Sequence, residues 1–162
     1  MRNEIKKLIK SIFYYILDLI YLAILLLFNL HKIKQINKQK LTIVTAASSS
    51  HSKSVLQFLT SVTKFSPNSF VEVFSLDLNS DQLSNLKTIS NNNKNININI
   101  FNFEKYPKYF DINKDNGSYA WKGVIIQEVF EKETGLVLWL DAGNLVRNNL
   151  FIINLLIFSH GF

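Results

Sequence analysis

The chain has 162 residues, enough for one domain with its own core, and no cysteine, which excludes any dependence on disulfides. Its formal charge of +6 belongs to the first 40 residues, where eight Lys/Arg meet only Glu4 and Asp18; from residue 41 onward, ten basic residues face ten acidic ones. The folded part is therefore neutral, which excludes the electrostatic footprint of a nucleic-acid binder.

Residues 1–11 form a short basic tail, and 12–30, "IFYYILDLIYLAILLLFNL", follow as an apolar run with only Asp18 and Asn29 strongly polar. As a helix this run is about 28 Å long, close to the thickness of a bilayer's hydrocarbon core. A cleaved signal peptide would carry an apolar core of about 7–15 residues ending in small residues, whereas this run continues into Phe-Asn-Leu-His-Lys. A buried soluble helix is the other alternative, though a helix apolar on every side has little to bury against. The reading is a single-pass membrane anchor. Asp18 inside it costs about 3 kcal/mol on insertion scales, which a shallow position, protonation or a partner helix would relieve. Four basic residues precede the run and four follow it, so charge does not set its orientation.

Residues 31–40, "HKIKQINKQK", read as a polar stem, and 41–162 as the domain. "LTIVTAA" (41–47) predicts a strand. "HSKSVLQFLTSVTKF" (51–65) predicts a helix with Val55, Phe58, Leu59 and Val62 on one face and capping serines before it. A strand over 70–78 and a helix over 80–90, with Leu83, Leu86 and Ile89 inward, come next. After an asparagine-rich loop, the alternation from Ile96 to Phe103 predicts a one-sided edge strand. Residues 104–117 read as irregular; 119–135 as a helix with Trp121, Val124, Ile125 and Val129 inward, ended by Gly135; and 136–141, "LVLWLD", as a strand. Its lack of alternation predicts a central strand buried on both faces.

The order β-α-β-α-β-loop-α-β predicts an α/β fold, a layered sheet covered by helices. Ligands in such open sheets bind beyond the carboxyl ends of the strands, where Asp141 emerges. The three histidines, His31, His51 and His160, lack metal spacing; His51, in "SSSHSKS", either touches a phosphate or sits solvated at the helix start. Asn116-Gly117-Ser118 is a glycosylation acceptor triplet in a predicted loop.

"LTIVTAASSSHSKSVLQFL", "FNFEKYP", "YAWKGVIIQEVF" and "VLWLDAGNLV" together resemble a group of largely uncharacterised GT-A-type (nucleotide-diphospho-sugar transferase-like) glycosyltransferases, distantly similar to the glycogenin and galactinol synthase families. The resemblance runs from about Leu41 to Leu150. It implies a partial GT-A, Rossmann-like sheet that binds a nucleotide sugar. Thr45, Ala46 and Ala47 would lie against the nucleoside, or simply form a tight strand-to-helix turn. Lys122 would offer its ammonium to the diphosphate, or be a solvated lysine. Trp121 would be core, or a substrate platform.

Asp141 would take the place of the first Asp of the family's Asp-x-Asp element, with Gly143 beside the sugar nucleotide and Mn²⁺ or Mg²⁺ as the implied cofactor; the alternative is a cap for the turn after the strand. Here the second Asp is missing: Ala142 and Gly143 follow, and Asn144 supplies only an amide oxygen. Gly123 stands where such relatives often carry proline. Only "FIINLLIFSHGF" follows Leu150, whereas GT-A enzymes carry roughly another hundred residues holding the acceptor site, as the resemblance implies. The expectation is therefore an incomplete enzyme with the donor half only. By resemblance its domain would face the lumen of the Golgi or endoplasmic reticulum. The dense apolar terminus is read as a patch that either aggregates or takes a protein partner. The alternatives are a non-catalytic membrane protein or an inactive remnant.

Overall fold

The structure is a computed structural model describing residues 2–28, 39–114 and 119–160. Almost all of the expected stem and the triplet at Asn116 lie outside the described residues. The first helix, α1 (Arg2–Phe28), starts well before the expected Ile12. Within Glu4–Phe28 its most apolar 18 residues have a mean hydropathy of 2.2 and are not buried; by length and composition the helix is apolar enough to cross a membrane.

Four strands follow: β1 (Leu41–Ala47), β2 (Phe70–Ser75), β3 (Ile96–Ile100) and β4 (Leu136–Trp139). They form one parallel sheet in the order β3-β2-β1-β4. Parallel neighbours need crossovers, which α2 (Ser52–Phe65), α3 (Ser80–Asn91) and α4 (Ala120–Lys132) supply. The chain steps outward from β1 to β2 to β3, then returns through α4 to the other side of β1. This reversal makes a switch point between β1 and β4, and the site stands at its carboxyl end.

Two cores cover the two faces. On one, Ile43, Val71 and Val73 meet Val55, Phe58, Leu59 and Val62 of α2, the four residues whose spacing predicted an inward face. On the other, Val44 and Phe74 meet Trp121, Ile125 and Val129 of α4, with Val124 partly buried beside them. Both faces of β1 are thus closed, and every residue of it is buried.

β4 corrects the expectation of a central strand. It pairs with β1 alone among the described residues, and its four residues are only half-buried. The continuous apolar pattern comes from coverage on both faces: Leu136 and Leu138 pack towards the first core, Val137 and Trp139 towards the second. That coverage is a property of layers, not of position within the sheet. β3 is the edge strand that its alternation predicted.

Other boundaries also shift. β2 ends at Ser75 and β3 at Ile100, earlier than expected. The cap of α2 is His51, without a side-chain bond, because Ser49–His51 form their own 3₁₀ turn. α3 instead carries a reciprocal capping box: the Gln82 amide N–H donates to the Asn79 side chain at 2.9 Å, and the Asn79 amide N–H donates to the Gln82 side chain at 3.1 Å. Within 104–117, as far as described, two 3₁₀ turns (Phe103–Lys105 and Lys108–Phe110) are held by Tyr106 stacked between Phe101 and Phe110 at 5.2 and 4.9 Å. Gly135 does not end α4, which stops at Lys132. It has φ +149° and lies where β4 begins, its missing Cβ letting the Lys40 carbonyl approach and accept from the Leu136 N–H at 2.8 Å.

Candidate functional site

A cleft of about 480 Å³ opens at the carboxyl ends of β1 and β4. Its walls include Ala46, Ala47 and Ser48 at the end of β1, His51 before α2, and Leu76 after β2. Tyr119, Trp121 and Lys122 at the start of α4, and Asp141, Ala142 and Gly143 after β4, complete them. Five residues singled out in the sequence, Ala46, Ala47, Lys122, Asp141 and Gly143, therefore share one cavity. Thr45 does not line it: the strand's alternation turns its side chain into the sheet's interior, where the hydroxyl is fully buried without a partner.

Asp141 is the polar centre. Its Oδ1 accepts from Lys122 Nζ at 2.8 Å and from Trp139 Nε1 at 2.8 Å. The hydrogen bond from Lys122 first, then that from the indole, hold its carboxyl below the usual carboxylate range. The turn after β4 is closed by main chain, the Asn144 N–H donating to the Asp141 carbonyl at 2.9 Å. The carboxylate is thus held by Lys122 and Trp139 while main chain closes the turn.

Lys122 Nζ also stands 5.1 Å from the Trp139 ring centre and 5.8 Å from that of Tyr119. The ammonium is partly sheltered by aromatic faces, and the Asp141 side chain is 65 % exposed. A pair at this exposure contributes only about 0.2–1 kcal/mol after solvent screening, so an anionic ligand can displace the carboxylate from Lys122.

Two long helices, α2 and α4, begin at the cleft. The positive dipole ends of the two helices favour an anion between them, and Lys122 adds a full charge. Tyr119 precedes α4 in the left-handed region at φ 54°, a conformation that costs about 1–3 kcal/mol for a residue with a Cβ. Its exposed ring stands beside Trp121, centre to centre 6.0 Å. Trp121 is buried in the second core and also lines the cleft, so both of its sequence readings have a place.

His51 Nδ1 lies 3.0 Å from Ser48 Oγ and 2.9 Å from Ser50 Oγ, which turns the ring's Nε2 away from those hydroxyls. Ser48, Leu76 and Tyr119 escaped the sequence reading. The small residues after β1 pointed to the first, whereas only the folded chain brings the other two to the cleft.

A divalent cation fits this donor set poorly. Among the described residues Asp141 is the one carboxylate on the cleft wall, and Lys122 already pairs with it. Among the described residues, no three His, Cys, Asp or Glu side chains cluster as metal ligands would.

The architecture is a glycosyltransferase-like α/β fold. It is similar to S. aureus TarS (residues 1–349), at 15% identity and a TM-score of 0.51, over 75% of this chain and 33% of that one. The galactosyltransferase LgtC, solved with donor and acceptor sugar analogues, matches 69% of this chain and 41% of its own, at 21% identity and a TM-score of 0.44. The chain thus spans about a third of the TarS chain. No curated protein matches it. Residues 16–127 match the family described as "Protein of unknown function (DUF1647)", and the chain belongs to that family. The matched residues run from within α1 to within α4; they include Lys122 and stop before Asp141.

Proposed function

We propose that this protein is a membrane-anchored, glycosyltransferase-like protein that binds a nucleotide sugar in the cleft between β1 and β4. The observation that carries the reading is the exchangeable Lys122–Asp141 pair at the switch point of a parallel sheet, flanked by two helix starts. Ala46 and Ala47 leave room for a flat base to approach the end of β1. Lys122 and the start of α4 hold the diphosphate. Asp141, released from Lys122, accepts hydrogen bonds from sugar hydroxyls, with the main chain at Gly143 beside it. A Mn²⁺ or Mg²⁺ ion, poorly matched by this donor set, would have Asp141 as its carboxylate among the described residues, and the reading does not depend on it.

The likeness of TarS to this chain supports the fold, and the finer relation to the glycogenin and galactinol synthase families belongs to this same reading. So do the bilayer span of α1 and a domain facing the lumen of the Golgi or endoplasmic reticulum. The donor half is the part this cleft accounts for.

Calorimetric titration of the full chain in detergent micelles with uridine, guanosine and adenosine diphosphate sugars tests the reading. Binding heat is expected with at least one donor. Lys122→Ala removes charge-assisted hydrogen bonds of about 1.5–3 kcal/mol, so affinity should fall roughly ten- to hundredfold. Asp141→Asn, which keeps the shape, should weaken the sugar nucleotide more than the bare nucleotide. Absence of heat with every donor overturns the proposal.

A further inference from the structure

The turn between β1 and α2 is braced from outside itself. The Ser49 N–H and hydroxyl donate to Oδ1 and Oδ2 of Asp77, just past β2, at 2.5 and 3.1 Å. Gln82 of α3 donates from its side-chain amide to the Ser49 carbonyl at 3.0 Å and to Ser52 Oγ at 3.1 Å. Inside the turn, the His51 N–H donates to the Ser48 carbonyl at 2.9 Å. An exposed turn tied to two other elements is set in place before any ligand arrives, and two of its residues, Ser48 and His51, stand on the cleft wall.

Ser48 Oγ, Ser50 Oγ and His51 Nδ1 close a triangle with sides of 2.9, 3.0 and 2.9 Å. Either hydroxyl can donate to Nδ1, and a neutral imidazole whose Nδ1 accepts carries its hydrogen on Nε2. Among the described residues Nε2 has no hydrogen-bond partner. We infer that His51 is a second phosphate-binding residue of the cleft, its Nε2–H donating to the diphosphate from the start of α2 as Lys122 does from the start of α4. Ser48 and Ser50 act through the ring as positioning residues that keep Nδ1 an acceptor. This deepens the reading of the cleft as a nucleotide-sugar site and rests on it. Phosphate oxygens only accept hydrogen bonds, so a wall that offers them donors from two elements suits a diphosphate.

Calorimetry of the full chain in detergent micelles with uridine, guanosine and adenosine diphosphate glucose reads the contact. His51→Asn keeps a polar group beside the serines and removes Nε2; it is expected to weaken the donor that binds about tenfold. His51→Gln, whose amide nitrogen reaches the place of Nε2, should recover most of that loss. In the chain carrying His31→Gln and His160→Gln, His51 is the one imidazole left, and its ¹⁵N resonances report the ring directly. On saturation Nε2 is expected to shift while Nδ1 keeps the signature of an unprotonated nitrogen. Unchanged affinity in His51→Asn, beside a loss in Lys122→Ala, overturns the role of His51 and leaves the cleft reading intact. An Nε2 resonance that stays put on saturation marks a solvated ring and overturns it too. Absence of heat with all three donors overturns the reading of the cleft, and this inference with it.

Discussion

At the scale of single residues, chemistry is set by which neighbours a group meets. Tyr106 stacks between two phenylalanines and donates to Glu128 Oε1 at 2.6 Å. That bond chiefly, then burial and the nearby carboxylate charge, push its hydroxyl up to about 12 from an ordinary value of 10.0. A raised pKa stabilises the fold fully below pH 10, and the contribution is lost as pH climbs from there towards 12. Tyr106→Phe should therefore lose stability at neutral pH and show a flatter decline above pH 10, as read from urea midpoints across the pH series. An unchanged alkaline slope would refute the assignment. Nothing local marked Tyr106, because Glu128 is 22 residues away and on a helix. Lys122 and Asp141 were legible for the opposite reason: each stands at an element's end, where an α/β sheet places its chemistry.

At the scale of elements, period and punctuation carried most of the fold. The 3.6-residue spacing of Val55, Phe58, Leu59 and Val62 has one structural solution, a helix facing a sheet, and α2 takes it. The rank of β4 within the sheet was not legible, because strand order depends on a crossover that no window of residues contains. Gly135 was misjudged because a glycine after a helix and a glycine before a strand look alike in sequence. Its role is in the β1–β4 junction, where Lys40 also pairs with Glu133. Gly135→Ala would force a side chain into a backbone region that disfavours it and against the Lys40 carbonyl. Destabilisation of about 1–3 kcal/mol is expected, seen as a lower thermal midpoint. A midpoint equal to the parent's would show that the junction yields at no cost.

At the scale of the molecule, an α/β unit with a neutral charge balance follows an apolar helix bare of domain contacts over most of its length. The sequence could be divided this way because hydropathy changes abruptly near residue 31. The contact between Leu26 and Leu155 could not be foreseen, since it joins the two ends of the described chain. Anchoring and orientation give one combined prediction. After alkaline carbonate extraction the full chain should remain with the membrane pellet, and the mass of Asn116-containing peptides should drop on glycosidase treatment. Release into the supernatant ends the anchor; an unshifted mass with cytosolic protease sensitivity reverses the orientation.

One consequence follows from the way β4 is held. Among the described residues it pairs with β1 and with no other strand, so amide and carbonyl groups along its other margin have no ladder partner there. An incoming extended segment that zipped onto this margin would brace Trp139, whose indole grips the acid two residues on. Pairing at the margin and order in the turn that carries Asp141 would then be linked through that one hydrogen bond.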